Sequence, residues 1–233
     1  MKKIIFKVKH PTPYAQTKQP ISKPYSHIYL VRHSNPDKVN TLGLPDRDIS
    51  LSRDGINKRR FLTAYLKKLG IQKLYASEVL RAQQTAKDLA KRLRKKIIIE
   101  PRLNEINWTD WHKVRYFHTS EKRRVKNFKG YRELDERLDH MQARVRELID
   151  DIWKKNIGKK VALFSHGNLI RAIITSVLNA DVIGFLSLEI YQTSITELVI
   201  DANGYVKITR INDISHLPKR PKEDLFASAT GAY

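Results

Sequence analysis

The sequence predicts an α/β fold: a doubly wound, mainly parallel sheet with helices on both faces and an antiparallel hairpin at its C-terminal edge. Three observations carry this prediction. The runs His27-Ile-Tyr-Leu-Val31 and Val161-Ala-Leu-Phe164 are apolar without alternation, as strands buried on both faces are. Runs of this kind alternate along the chain with amphipathic helical segments, the order of a parallel sheet with crossover helices. Finally, Asn203-Gly204 separates the last two strand-like runs, 194–200 and 205–211, with a dipeptide suited to a tight hairpin.

Taken in order, residues 1–25 form an N-terminal extension. Lys3 to Lys9 could make a short alternating strand, and the proline-punctuated stretch from Pro11 to Pro24 reads as an extended linker. The main domain spans 26–217, and 218–233 is a polar tail. After the first strand comes a loop from Asn35 to Ile49. Ser52 then caps a helix that runs to about Leu69 and stops at Gly70. Lys73 to Ala76 is a short strand, Glu78 to about Arg94 a helix, and Lys96 to Glu100 a strand stopped by Pro101. Residues 102–130 lack periodicity and read as a long, aromatic, basic loop. Leu134, Leu138, Met141, Val145, Leu148 and Ile152 recur at spacings of three and four, predicting a long helix ended by Gly158. Strand 161–165, a helix from about Asn168 to Leu178 and the terminal hairpin complete the pattern.

Composition narrows the function. The 233 residues are 41% hydrophobic and include no cysteine, which excludes disulfides, thiolate metal sites and a cysteine nucleophile. No run approaches the ~20 apolar residues of a membrane span. The apolar stretch near the N-terminus is broken by Lys7 and Lys9, so it does not read as a signal peptide, and a cytoplasmic location is expected. The net charge of +21 predicts attraction to polyanions: phosphorylated substrates, nucleic acid or anionic lipid. The cations cluster in Arg92 to Lys96 and Lys122 to Lys126.

The chemistry is concentrated where two strands end. The first ends in Arg32-His33-Ser34 and the second in Ser165-His166-Gly167. Ligands of open α/β sheets bind at the carboxyl ends of strands. Phosphoryl transfer without a metal needs a nucleophile, a cationic cradle and a proton donor. His33 is the candidate nucleophile, as a neutral imidazole. Arg32 and Arg81 are the candidate clamp, because a guanidinium fork pairs two oxygens at once and stays charged. His166, protonated, would donate to the phosphoryl group. Gly167 would let the backbone approach, and the helix N-terminus at Gly167 and Asn168 would favour the anion. Glu105 is the candidate general acid, its pKa raised by shielding from Trp108 and Trp111. No metal and no cofactor are called for.

Five ordered motifs resemble the histidine phosphatase superfamily, also called the phosphoglycerate mutase-like family. They are Leu30-Val-Arg-His33; Leu51-Ser-Arg-Asp-Gly55; Ala76-Ser77 with Leu80-Arg-Ala-Gln-Gln-Thr-Ala86; Leu103-Asn-Glu105; and Ser165-His-Gly167 with Arg171. Together they cover roughly residues 27–213. The resemblance implies a doubly wound α/β sheet. It makes His33 the phosphoacceptor and Glu105 the proton donor, with Arg32, Arg81 and His166 as ligands of the phosphoryl group. Ser34 stands where the family pattern has glycine. The loop after His33 lacks the mutase branch's Glu-Ser-x-x-Asn, and the segment after Glu105 lacks its Arg-Tyr-Gly. A mutase must keep its intermediate dry, whereas a phosphatase need only admit water. The missing mutase elements therefore favour hydrolysis, and Arg32-His33-Ser34, the strand Ser194 to Ile200 and the Asn203-Gly204 hairpin resemble the branch containing mitochondrial protein serine/threonine phosphatases.

The expected activity is therefore metal-independent hydrolysis of phosphomonoesters, acting on an anionic small molecule or a phosphoprotein. The alternatives are a phosphoglycerate-type mutase and a non-catalytic basic module that contacts nucleic acid or an acidic partner. A stacking motif for RNA is missing.

Overall fold

In the computed structural model of the chain, residues 22–107 and 128–219 are described, with side chains of the long third helix from Glu133 onward. Six strands form one sheet in the order β3-β2-β4-β1-β5-β6. They are β1 (Ser26–Arg32), β2 (Lys73–Ala76), β3 (Ile97–Ile99), β4 (Lys160–Ser165), β5 (Ile195–Ile200) and β6 (Val206–Asp213). β1 to β4 run parallel, while β5 lies antiparallel to β1 and β6 antiparallel to β5. The expected α/β sheet with an antiparallel edge is thus the observed one.

The unbroken apolar runs are explained by two cores, one on each face. On one face Ile28 and Leu30 of β1 and Val161 and Leu163 of β4 pack against α3 (Phe128–Lys154), α4 (Gly167–Leu178) and α5 (Val182–Ser187). On the other face Tyr29, Val31, Ala162 and Phe164 meet α1 (Arg53–Lys67) and α2 (Leu80–Leu93) through Leu62, Leu66, Ala82, Ala86 and Leu89. Each central strand sends alternate residues to opposite cores, so both sets must be apolar.

The boundaries follow local chemistry. Ser52 caps α1, its hydroxyl accepting the Gly55 N–H, and Gly70 (φ +72°) turns the chain into β2. α2 starts at Leu80 rather than Glu78, after Val79, which offers no side-chain cap. α3 starts at Phe128, inside the stretch expected to be loop. The apolar periodicity begins only at Leu134, so nothing signalled the first turn. α3 stops at Lys154, four residues before the predicted Gly158. The short α5 went unpredicted, although Asp181 caps it by accepting the Gly184 N–H at 2.9 Å. The predicted strand 3–9, Trp108, Trp111, the cluster 122–126 and the tail beyond 219 lie outside the described residues.

Candidate active site

The parallel strands deliver His33, Ser77 and His166 to one rim of the sheet, because each follows directly on a strand end. The register pairs Arg32 of β1 with Ser165 of β4, which brings the two histidine-bearing turns side by side. The imidazole rings of His33 and His166 lie 5.1 Å apart, tilted by 59°.

His33 is held from two sides. Its Nδ1 lies 2.7 Å from the Ser34 carbonyl, which can only accept, so Nδ1 carries the proton and Nε2 the lone pair. Arg81, in the first turn of α2, donates its Nε–H to that Nε2 at 3.2 Å. Burial, His166 and the two guanidinium groups of Arg32 and Arg81 hold His33 well below the usual imidazole range. It is neutral at physiological pH.

Ser34 proves to be a strut. Completely buried, it donates its hydroxyl to the Gly55 carbonyl (2.7 Å), and Thr85 Oγ1 accepts its N–H (3.0 Å). The turn after His33 is thereby tied to both α1 and α2. A glycine could make only the second bond.

His166 sits differently from the expectation. It is wholly buried behind His33 and is not among the residues that line the cleft. Burial, reinforced by Arg81 and Arg32, pushes its pKa down to about 3. The expected imidazolium is therefore replaced by a neutral ring. Ser77 Oγ accepts the Val79 N–H (3.3 Å) and lies 2.8 Å from His166 Nε2, so its hydroxyl proton is available to that nitrogen. The tautomer that fits carries its proton on Nδ1, a buried atom with no partner among the described residues.

Glu105 is placed by its two predecessors. Leu103, fully buried, closes a 3-10 turn over Pro101–Leu103, and Ser165 Oγ donates to its carbonyl at 2.7 Å. Asn104 bridges to Glu78, accepting its N–H and donating to its carboxylate. Glu105 then reaches the start of α4, where its Oε1 accepts the N–H groups of Ile106 (3.0 Å), Asn168 (3.1 Å) and Leu169 (3.2 Å). Burial raises its pKa above the usual carboxylate range, although Arg32 and these three amides favour the anion. The helix N-terminus expected to receive a phosphate is thus capped by Glu105. The side chain of Asn168 is also engaged, donating to the Ile106 carbonyl and accepting from Arg171.

The two arginines line the same cleft. Arg32 donates to the Ile190 carbonyl and lies 4.0 Å from Glu189. The α4 N-terminus lies against this guanidinium: a Cβ on Gly167 would stand 3.4 Å from Arg32 Nε, in ordinary van der Waals contact. Arg81 gives both terminal nitrogens to Asp46, Nη1 to its carbonyl (2.7 Å) and Nη2 to its carboxylate (2.9 Å). Asp46 belongs to the loop after β1 and was not recognised as part of the site. No sequence signal marks an aspartate in a polar loop as the partner of an arginine 35 residues away. Lys38, Arg171, Glu189 and Gln192 also line this cleft of about 830 Å³. Among the described residues no cluster of histidine and acidic side chains is suited to a metal ion. No helix among them is long and apolar enough to cross a membrane.

Comparison with known proteins places this arrangement. A sequence profile of the histidine phosphatase superfamily (branch 1) matches residues 28–214. A probable phosphoglycerate mutase, GpmB, of Enterobacter sp. (strain 638) is 25% identical over 220 residues, 85% of this chain and 98% of that protein. The mitochondrial serine/threonine-protein phosphatase PGAM5 of Rattus norvegicus is 26% identical over 211 residues, 84% of this chain and 66% of that protein. Among solved structures, a phosphoserine phosphatase of Entamoeba histolytica in complex with 3-phosphoglyceric acid shares the fold. Its TM-score is 0.65 at 24% identity, covering 82% of this chain and 99% of that one. A mycobacterial glucosyl-3-phosphoglycerate phosphatase gives a TM-score of 0.61 at 22% identity, over 81% and 99% of the two chains. With a profile match over most of its length and the matching sheet, the chain belongs to the histidine phosphatase superfamily, branch 1.

Proposed function

We propose that the protein is a metal-independent phosphatase that hydrolyses phosphomonoesters through a phosphohistidine on His33. The observation that carries this reading is the state of His33: neutral, protonated on Nδ1, with its Nε2 lone pair against the Nε–H of Arg81. An incoming phosphoryl group supplies new acceptors for Arg81 and frees that lone pair. His33 Nε2 then bonds to phosphorus as the ester P–O bond breaks. Glu105, whose protonated form is favoured by burial, gives its proton to the leaving alkoxide. The resulting Glu105 carboxylate is stabilised by the three amides of Ile106, Asn168 and Leu169. It next takes a proton from water as that water attacks phospho-His33, and inorganic phosphate leaves. The negative charge on the phosphoryl oxygens is met by Arg32 and Arg81, which line the cleft beside His33.

The substrate class follows from the cations of the cleft: an anionic phosphate ester, as a small molecule or on a protein. The phosphoserine and phosphoglycerate chemistry named for the solved relatives is the first panel to try. Hydrolysis of para-nitrophenyl phosphate in EDTA is expected, with turnover abolished in His33→Ala and slowed by about 10²–10⁴-fold in Glu105→Gln. Undiminished activity in His33→Ala rejects the assignment. The similarity to a probable mutase supports a second reading. Conversion of 3-phosphoglycerate to 2-phosphoglycerate without phosphate release, dependent on bisphosphoglycerate, would favour it.

A further inference from the structure

The +21 charge is not spread evenly over the fold. Residues 53–100, which include α1 and α2, carry fourteen cations and four acids. Residues 133–189, which include most of α3 with α4 and α5 on the opposite face, carry eight cations and nine acids. Within the first stretch and beside it, the cations gather at one end of the sheet.

Three connections meet at that end because β2, β3 and β4 are parallel. Lys67, Lys68 and Lys73 lie on the way from α1 into β2. The approach from α2 to β3 carries Lys91, Arg92, Arg94, Lys95 and Lys96. From α3 to β4 come Lys154, Lys155, Lys159 and Lys160. Of these twelve, ten are exposed and two half-buried. The nearby acids Asp150 and Asp151 are paired with Lys154 and Arg102. Asp201 is nearly buried and accepts backbone N–H groups.

The strand register makes the array repulsive. Leu74 pairs with Ile97, which sets Lys73 beside Lys96, and Lys73 pairs with Val161, which sets it beside Lys160. Like charges on neighbouring strands destabilise a sheet. A cation in the last turn of a helix complements the helix dipole, but this accounts for Lys67, Lys91, Arg92 and Lys154 and not for the strand lysines. Apolar and aromatic side chains are exposed among the cations. Ile157 (46%) stands between Lys155 and Lys159, Ile98 (40%) follows Lys96 by two residues, and Tyr25 (40%) precedes β1 at the same rim. The cleft opens at the other rim, about 20 Å away along the six residues of β4.

We infer that this pole is a docking surface for an anionic membrane. Ten of the twelve cations are lysine, whose compact charge suits a diffuse anionic surface, whereas arginine forks lead in nucleic-acid recognition. Exposed Ile and Tyr amid lysines are the side chains that settle at the headgroup boundary. Docked in this way, the protein presents its cleft to solution.

The full chain is sedimented with phosphatidylcholine vesicles and with vesicles containing about 30% phosphatidylserine. Binding to the anionic vesicles alone is expected at about 0.1 M salt and is lost at about 0.5 M. Lys73→Gln, Lys95→Gln, Lys96→Gln and Lys160→Gln combined should lower partitioning by about a hundredfold or more, at roughly fivefold per cation. Neutralising Arg137, Arg144 and Arg146 on α3 should leave partitioning nearly unchanged, and Ile157→Ser should lower it. Hydrolysis of para-nitrophenyl phosphate should be the same in all four proteins, since none of these residues lines the cleft. Equal vesicle binding by the pole variant and the α3 variant overturns the proposal. So does tighter binding to a DNA or RNA oligonucleotide that the pole variant loses while Ile157→Ser retains it.

Discussion

Asp46 covers the two terminal nitrogens of Arg81, its carbonyl accepting from one and its carboxylate from the other. Its side chain is 68% exposed and that of Arg81 only 7%, so the pair joins a solvent-facing acid to a buried base. A phosphoryl group that takes Arg81 must first displace it. A half-solvated ion pair is worth about 1 kcal/mol or less, which corresponds to roughly a fivefold effect on affinity. Asp46→Asn is therefore expected to lower the inhibition constant for inorganic phosphate by about that factor, with kcat little changed. A rise in that constant would instead make Asp46 the residue that aims Arg81. The same scale shows what the sequence revealed and what it hid. His33, Arg32, Arg81 and Glu105 stand out because each sits at a strand end or in a short motif, and all four line one cleft. The state of His166 was not legible, since its low pKa comes from complete burial between two guanidinium groups brought from β1 and α2. Ser34 looked like a departure from a glycine pattern, and only its contact with the Gly55 carbonyl gives it a purpose.

At the scale of elements, Gly55 explains why the motif that opens α1 ends in glycine. A Cβ there would stand 2.2 Å from the Asn35 carbonyl oxygen, a backbone atom that cannot swing aside. The same two segments are joined by the Ser52 N–H on the Asn35 carbonyl and by Ser34 Oγ on the Gly55 carbonyl. α1 thus butts directly on the turn that carries His33. Gly55→Ala must push them apart, and a loss of about 1–3 kcal/mol is expected, as for an overpacked core. Urea unfolding reads this loss, and a fall in kcat should accompany it because the His33 turn moves with the helix. A variant as stable and active as the parent would refute this contact. The elements themselves were largely legible from apolar runs and helical spacing, because buried parallel strands admit little else. Three features were not. α5 is only six residues long, too short for a periodic signal. The first turn of α3 precedes any apolar spacing, and the register that sets Lys73 beside Lys96 depends on pairing between strands 23 residues apart.

At the scale of the whole molecule, acid sensitivity follows from histidines kept neutral by burial. His33 is held well below its usual range, His166 at about 3 and His216 at about 4, in each case chiefly by burial. In the unfolded chain all three take up protons near the ordinary value of about 6.5, and in the folded chain they do not. Their contribution to stability is complete above about 6.5 and is lost as pH falls from there towards 4, at up to about 1.4 kcal/mol per unit for each group. The buried Glu105 has the opposite sign: its raised pKa favours the fold at low pH, with that stability lost as pH rises through the folded value. One such group does not offset three. The net charge of +21 adds self-repulsion that grows as carboxylates are protonated, so salt separates the two causes. About 0.5 M salt screens the repulsion between exposed charges and leaves the cost of protonating a buried imidazole in place. The melting temperature should therefore fall between pH 6.5 and 4.5 in high salt as well as low. His216 lies apart from the cleft, bonded to Thr193 and packed on Tyr65, so His216→Gln should flatten this fall while hydrolysis of para-nitrophenyl phosphate is unaltered. If high salt removes the whole of the fall, charge repulsion is its cause and the buried histidines are not.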